Sequence, residues 1–314
     1  MLFLANKIGA STQENHKAFL NDRPASFLTI GDYLISLTFG LVAAACWGLH
    51  DFCIRFISQS TPVSACLIAV MVFGLLFQTG LLVTTGSYAN IPTASILPLL
   101  GAGVSFAIAN CGLYVAFQRG PVWLAAPLVA CFSIFSVGIA IVGGATFSYG
   151  QGGAILMVLT GITMIAILAD KGSTQKTRKL LTVISALVAA VAFSSTFAFG
   201  QIATEMTNGL VSAIATRIVA IGVILGGILA LQLPLWPRSG AWGILAIMGL
   251  LDGLAILLIM AAGNYPNPEY ASVATAIYGL PTIWLASIFL KERINAKQWA
   301  GCMLVFVGIG YLAL

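Results

Sequence analysis

Charged side chains are scarce in this chain of 314 residues. Asp, Glu, Lys and Arg together make up 7% of it, and 60% of the residues are hydrophobic, whereas a soluble domain carries about 25% charged residues. So few charges cannot cover the surface of a water-soluble protein of this length. The composition therefore excludes a soluble globular domain and predicts a multi-pass integral membrane protein.

Side chains that carry enzyme chemistry are also few. The chain has two histidines, and it contains no HExxH or GxSxG motif and no GxGD sequence around Asp252. We therefore predict no catalytic residues, no metal site and no cofactor. An intramembrane enzyme is kept as the least favoured alternative.

The six cysteines show neither a CxxC pair nor the spacing of metal ligands. All of them fall within apolar segments: Cys46, Cys53, Cys66, Cys111, Cys131 and Cys302. We interpret them as small residues that pack helices.

No stretch combines the basic and aromatic residues of a nucleic-acid surface, although the formal net charge is +5. The expected partners are therefore a lipid bilayer and a small-molecule substrate, and the expected assembly is a monomer or a homodimer.

The mixed residues 1–32 lack the long apolar core of a secretory signal, since Lys7 interrupts their apolar start. We predict that they form an N-terminal tail.

Long apolar runs dominate the rest of the chain. Since a hydrocarbon core of about 30 Å needs about 20 mostly apolar residues per crossing, these runs predict ten transmembrane helices. Turn residues and charges place them at 33–57, 61–84, 94–117, 121–143, 151–169, 180–203, 209–233, 240–263, 268–290 and 296–314. Most connections are short, so the sequence predicts an all-α bundle of antiparallel neighbours.

The two halves of the chain resemble each other. An offset of 147 residues pairs Pro121 with Pro268, Gln151 with Gln298, Val158 with Val305 and Gly161 with Gly308. An offset of 146 aligns Leu41–Trp47 with Leu187–Phe193. Internal repeats of this kind are common in transporters.

A repeat of five helices places the second copy upside down in the membrane, because five is an odd number. The predicted fold is therefore two inverted five-helix repeats (5+5) around a central site. We divide the chain into the tail 1–32, a first repeat 33–169, a charged linker 170–179 and a second repeat 180–314.

Lysines and arginines near the helix ends are divided unevenly between the two sides. Ten lie at or near the ends of odd-numbered helices: Arg55, Arg119, Lys171, Lys176, Arg178, Lys179, Arg238, Lys291, Arg293 and Lys297. The opposite side has three, all in the tail: Lys7, Lys17 and Arg23. The positive-inside rule then predicts that both termini lie outside the cytoplasm.

The C-terminal stretch ASVATAIYGLPTIWLASIFLKERINAKQWAGCMLVFVGIGYLAL resembles the closing two helices of the drug/metabolite transporter superfamily, EamA type. The matching residues are Pro281, the run Leu290–Arg293, Gln298, Gly301 and Gly308, and Trp47 with Gly48 resembles the opening helix. The resemblance implies ten helices in two inverted repeats, no nucleotide-hydrolysing subunit and alternating access for small metabolites or amphiphilic drugs. It also implies a bacterial inner (cell) membrane location.

Two features depart from the family pattern. Gly143–Ser148 reads GGATFS where many members repeat the acidic–basic pair. Family members usually have cytoplasmic termini, which is the opposite of what the charge count predicts. The orientation therefore stays open.

Ionisable groups within the apolar spans are candidate functional residues, because each costs at least about 2.5 to 3.5 kcal/mol there. Arg217 and Asp252 lie on consecutive antiparallel helices at depths that differ by about 3 Å, so we predict that they can pair. Such a pair either pins two helices together or offers a guanidinium to a carboxylate or phosphate. Both interpretations of the pair stay open.

His50, Asp51 and Arg55 lie close together in the first helix. Asp51 and Arg55 are four residues apart, which favours an ion pair on one helix face, and Arg55 can also extend to the membrane boundary. Imidazole titrates near neutral pH, so His50 and Asp51 are candidates for proton coupling; the alternative is a structural hydrogen bond.

Polar and aromatic side chains complete the predicted substrate site. The candidates are Asn110, Tyr114, Trp47, Tyr278 and Trp284, with Tyr278 foremost because it precedes the helix-breaking Pro281. Asp51, Arg55, Arg217 and Asp252 together carry no net charge, which favours a neutral or zwitterionic, amino-acid-like or amphiphilic cargo. We therefore expect a secondary active transporter that works by alternating access; a passive channel or facilitator is the alternative.

Overall fold

Ten apolar helices follow one another in the computed structural model, which describes residues 30–145, 148–170, 176–265, 267–292 and 294–312. In chain order they are α1 (Ile30–Ile57), α2 (Val63–Thr85), α3 (Thr93–Arg119), α4 (Val122–Ala130 and Phe132–Val142), α5 (Tyr149–Asp170), α6 (Lys176–Met206), α7 (Gly209–Ala230), α8 (Trp242–Ala261), α9 (Glu269–Thr275 and Gly279–Phe289) and α10 (Ala296–Leu312). Eight of them are long and apolar enough to cross a membrane, while the apolar parts of α5 and α10 are shorter. The predicted all-α membrane fold is confirmed.

Parts of the predicted tail and linker lie outside the described residues. These parts are residues 1–29 and 171–175, which include the tail cations and Lys171. The described ends of the linker are helical, since α5 continues to Asp170 and α6 begins at Lys176. Elsewhere, each helix begins and ends within four residues of its predicted position.

Helices α5 and α10 begin with the same local structure. Gln151 Oε1 accepts from the Ser148 backbone N–H at 3.0 Å, and Ser148 Oγ accepts from the Gln151 N–H at 3.1 Å. Asn295 and Gln298, at the equivalent positions, exchange the same two bonds at 2.9 Å each. These reciprocal capping boxes satisfy backbone donors at each helix start, so the sequence repeat is also a structural one.

The contact between α5 and α10 is symmetric. A Cβ on Gly161 would lie 2.7 Å from Val305 Cγ2, and a Cβ on Gly308 would lie 2.8 Å from Val158 Cγ2. Because Gly161 corresponds to Gly308 and Val158 to Val305, each half makes the same contact to the other. A two-fold axis between the helices, as inverted repeats require, produces this reciprocity.

The other helices follow the same axis. Helix α3 packs along α6 while its counterpart α8 packs along α1, and α4 contacts α6 while α9 contacts α1. Helices α2 and α7, which are counterparts, contact each other. This arrangement brings α1, α3, α4, α6, α8 and α9 around the centre of the bundle.

Helices α4 and α9 are both interrupted near their middles. The first break lies at Cys131, and the second is a turn of 3-10 helix at Ala276–Tyr278. Cys131 and Tyr278 are equivalent at the offset of 147. A proline lies close to each break, Pro127 and Pro281, where it removes a backbone donor from the helix. Interrupted helices of this kind border the central sites of many transporters.

Candidate functional site

Arg217 on α7 and Asp252 on α8 form an ion pair inside the bundle. Arg217 Nη2 lies 2.8 Å from Asp252 Oδ2, and the two residues are 0% and 2% exposed. The two atoms do not have the alignment of a hydrogen bond, so the contact is mainly electrostatic. The pair connects two neighbouring helices, as the sequence predicted.

Several neighbours hold the Arg217 guanidinium in place. Its Nε donates to Gln78 Oε1 at 3.2 Å, and Gln78 Nε2 donates to the Gly253 carbonyl at 2.8 Å. Its Cζ lies 5.5 Å from the centre of the Phe106 ring, which is a cation–π contact. Gly74 provides the space, since a Cβ there would lie 2.5 Å from Arg217 Nη1.

Trp47 on α1 connects Asp252 to the first half of the chain. Its Nε1–H donates to Asp252 Oδ1 at 3.0 Å. The indole stacks on Phe197 of α6, with 5.7 Å between ring centroids and 22° between planes, and it also contacts Phe193. Asp252 therefore binds a cation from its own half and a neutral donor from the other half.

His50 and Asp51 form a second buried polar pair. His50 Nδ1 lies 2.8 Å from Asp51 Oδ1, and the residues are 1% and 2% exposed. On the other side of the ring, His50 Nε2 lies 3.4 Å from the hydroxyl of Tyr114 on α3. Tyr114, a predicted substrate contact, therefore reaches the histidine and is absent from the cavity lining described below.

The expected ion pair between Asp51 and Arg55 is not formed. Arg55 Nε donates to Glu292 Oε1 at 2.8 Å, and Arg55 Nη1 reaches the carbonyls of Phe117 and Gln118 at 3.2 Å each. These carbonyls belong to the last turn of α3, where no further helical N–H can satisfy them. Asp51 keeps His50 as its partner, so the two charges on α1 serve different contacts.

A small cavity lies between the two halves beside these groups. Its lining residues are Trp47, Asp51, Asn110, Leu113, Val129, Phe132, Phe193, Asp252 and Tyr278. Two carboxylates thus face it among aromatic rings, while Arg217 and His50 lie behind those carboxylates. The free volume is about 10 Å³, which is about the space of one water molecule.

Asn110 and Tyr278, both predicted from the sequence, border this cavity. Asn110 Nδ2 donates to the Phe106 carbonyl at 2.9 Å. Tyr278 stacks on Phe132, with 6.3 Å between centroids and 5° between planes. Its buried hydroxyl has no hydrogen-bond partner among the described residues, so it is available to a ligand.

Trp284 is a correction to the predicted site. Its side chain is 57% exposed and points away from the cavity. Six residues separate it from Tyr278, and at about 100° per residue this rotation places the two on different faces of the helix.

Four lining residues were not predicted from the sequence: Leu113, Val129, Phe132 and Phe193. Phe193 had a usable signal, since it is the repeat counterpart of Trp47. Phe132 follows the break in α4, which is visible in the sequence only through its equivalence to the break near Pro281. Leu113 and Val129 resemble any other apolar helix residue.

Residues 180–314, which include Arg217, Asp252 and Tyr278, match the EamA-like transporter family. The matched part is the second half of the chain, and it is similar to EamA-like transporters. The resemblance to the drug/metabolite transporter superfamily is thus confirmed, and an EamA-type transporter is a membrane protein that carries a small molecule. The family points to transport and away from catalysis.

Two further proteins are similar to this chain over most of its length. One is an uncharacterized transporter of Archaeoglobus fulgidus, 23% identical over 291 residues, which cover 90% of this chain and 99% of the relative. The other is a protein of known crystal structure that is 13% identical, with a TM-score of 0.66 over 88% of this chain and 95% of the other. The second comparison supports the fold alone.

Proposed function

We propose that this EamA-type chain is a secondary active transporter of a small neutral or zwitterionic, amino-acid-like metabolite, working by alternating access. The observation that carries the proposal is the small cavity between the halves, which two carboxylates and four aromatic rings border. These groups can bind and release a metabolite without changing it. The expected location is the bacterial inner (cell) membrane, and residues 33–169 and 180–314 are the proposed repeats.

The charges around the cavity suit a zwitterion. Asp51 faces the cavity and is placed to receive an ammonium group. Arg217 is placed to receive a carboxylate once Asp252 turns away from it, because a guanidinium binds a carboxylate through two parallel hydrogen bonds.

Apolar parts of the metabolite would contact the aromatic rings. Trp47, Phe132, Phe193 and Tyr278 border the cavity on different helices, and aromatic faces hold both apolar groups and organic cations. The free Tyr278 hydroxyl adds one polar group to this set. The ring arrangement therefore favours amino acids with an apolar or aromatic side chain.

Ligand binding to the purified protein tests the proposed cargo. Amino acids and related metabolites are screened by thermal shift, since a ligand that binds the folded state raises the Tm. We expect stabilisation by a zwitterionic amino acid and less by its amide and its decarboxylated amine, which lack the carboxylate. Equal stabilisation by all three would contradict the role given to Arg217.

Counterflow in proteoliposomes separates a carrier from a channel. Any ligand found by thermal shift is loaded inside the vesicles, and labelled ligand is added outside. An alternating-access carrier exchanges the two, so internal ligand accelerates uptake. A passive channel shows no such acceleration, and that result would replace the proposal with the facilitator alternative.

The proposed coupling proton lies on the pair His50 and Asp51. An ammonium group at Asp51 would weaken the hold of the pair on its proton, because the two cations compete for one carboxylate. The proton and the substrate would then move in opposite directions. We expect His50→Gln to abolish transport driven by a pH gradient but to retain counterflow; unchanged pH-driven transport between about pH 5 and 8 would rule this role out.

A further inference from the structure

Arg55 and Gln201 occupy equivalent positions in the two repeats. They are 146 residues apart, and the same offset aligns Trp47 with Phe193 on the same two helices without a gap. Each side chain lies near the end of its helix, α1 or α6. Because the repeats are inverted, these ends lie at opposite membrane faces, which we call the Arg55 face and the Gln201 face.

At the Arg55 face, one charged cluster holds the tip of the α3–α4 hairpin. Arg55 Nη1 donates to the carbonyls of Phe117 and Gln118 at the end of α3. Glu292, from the loop between α9 and α10, accepts from Arg55 Nε at 2.8 Å and from the Val122 backbone N–H at 2.9 Å. The cluster therefore ties the hairpin to α1 and to the other half.

At the Gln201 face, the equivalent contact is neutral. Gln201 Nε2 lies 3.3 Å from the Ile259 carbonyl near the end of α8 and 3.0 Å from the Pro268 carbonyl before α9. It also lies 3.2 Å from Ser272 Oγ in the first turn of α9. One side chain of α6 thus holds the tip of the α8–α9 hairpin, as Arg55 does for α3–α4.

The repeat counterpart of Glu292 carries no charge. At the offset of 147, Glu292 corresponds to Ala145, which is exposed. The base and the acid are therefore both replaced at the Gln201 face, Arg55 by Gln201 and Glu292 by Ala145. The two clusters have the same position in the fold but different chemistry.

The two hairpins carry most of the cavity wall. Asn110, Leu113, Val129 and Phe132 belong to α3–α4, and Asp252 and Tyr278 belong to α8–α9. The remaining lining residues lie on α1 and α6, the helices to which the hairpin tips are tied. If one hairpin tip is released from α1 or α6, the cavity wall opens on that side. The cavity is then connected to the membrane face at which the tip lies.

We propose that the Arg55–Glu292 cluster and the Gln201 cluster are the two gates of the transporter, and that the charged gate closes its face more firmly. The inference rests on the alternating access proposed above. Charge-assisted hydrogen bonds are about twice as strong as neutral ones, and Arg55 and Glu292 are only 21% and 11% exposed. The resting protein therefore opens more readily at the Gln201 face.

Thiol labelling of a cavity residue tests the gates without any substrate. Val129→Cys, which changes the side-chain volume little, is placed in protein whose six native cysteines are replaced. A membrane-impermeant maleimide is added to one side or the other of oriented vesicles. We expect faster labelling from the Gln201 face than from the Arg55 face.

A substitution in either gate should then raise the labelling rate from the membrane face of that gate. Glu292→Gln should raise labelling from the Arg55 face by about tenfold, the effect of weakening a contact by ~1.4 kcal/mol, and Gln201→Met should raise it from the opposite face. Arg119→Gln is the matched control, because it removes an exposed charge at the Arg55 face. It should leave both rates unchanged.

A variant that adds a charged pair keeps the proposal testable if Glu292→Gln does not fold. Gln201→Arg with Ala145→Glu builds the charged pair at the second face, and it should slow labelling from that face. The proposal is overturned if this variant and Gln201→Met both leave the rates unchanged, since the clusters are then structural links only. Because no cargo is present, a wrong cargo assignment leaves these labelling results unaffected.

Discussion

Arg217 is a fully buried cation in an apolar bundle, and its charge is shared among Asp252, Gln78 and the Phe106 ring. Buried ion pairs seldom add net stability over apolar residues of similar volume, because both charges lose their hydration. The pair is therefore poorly explained as a device for stability. Its position next to the cavity fits a role in which the partners separate during transport.

Removing one partner leaves an uncompensated buried charge. We expect Arg217→Ala and Asp252→Ala each to lower the free energy of unfolding by about 3 to 5 kcal/mol and to abolish transport. The double variant should be more stable than either single variant but still inactive. Thermal unfolding and uptake into proteoliposomes measure the two effects, and full uptake by Arg217→Ala would contradict the assignment.

Trp47 allows its hydrogen bond to be tested apart from its ring. Trp47→Phe keeps an aromatic ring beside Phe197 but removes the donor to Asp252. Hydrogen bonds to charged groups contribute about 1.5 to 3 kcal/mol, so we expect roughly a tenfold or greater loss of transport efficiency. Trp284→Phe, on the exposed face of α9, is the control and should transport normally. Equal losses in both variants would show that the hydrogen bond is unimportant.

The sequence predicts some of these residue contacts and not others. The contact between Arg217 and Asp252 was predictable from the sequence. Two consecutive antiparallel helices place residues at the same depth when these residues are equally far from the loop that joins the helices. Glu292 as the partner of Arg55 was not predictable, since 237 residues separate them and local spacing favoured Asp51. Trp284 was misplaced because its exposure depends on how α9 turns at its 3-10 segment.

At the scale of the helices, bilayer thickness fixes length, so apolar runs predicted every helix to within four residues. The break in α9 was indicated by Pro281. The break in α4 at Cys131 was not, because Pro127 lies four residues earlier in a helical segment. Comparing the two repeats would have revealed it, since Cys131 and Tyr278 are equivalent.

The contact between α5 and α10 gives a prediction at this scale. A methyl group on Gly308 would approach Val158 Cγ2 to 2.8 Å and the Ala154 carbonyl to 2.9 Å, so Gly308→Ala must push the helices apart. We expect a loss of about 1 to 3 kcal/mol and a lower Tm. Gly310→Ala on the same helix meets nothing within 4 Å and should gain up to about 1 kcal/mol from helix propensity. Similar shifts in both variants would argue against close packing here.

For the whole molecule, inverted symmetry predicts which loops share a side. The loop between α2 and α3 and its counterpart between α7 and α8 should lie at opposite faces. We expect Asn90→Cys and Ser239→Cys, both at exposed positions, to react with an impermeant maleimide from opposite sides in protein that lacks the native cysteines. Labelling of both from one side would refute the inverted arrangement. The same experiment decides whether the termini are cytoplasmic.

The free space of about 10 Å³ beside Asp51 and Asp252 limits how any cargo is recognised. Even the smallest amino acid is larger, so the surrounding rings must part before it enters. The free energy needed to part the rings is subtracted from the free energy of binding. The apparent affinity is therefore lower when a smaller fraction of molecules is already expanded. Discrimination between metabolites is therefore expressed in how fast each is carried rather than in how tightly each is held.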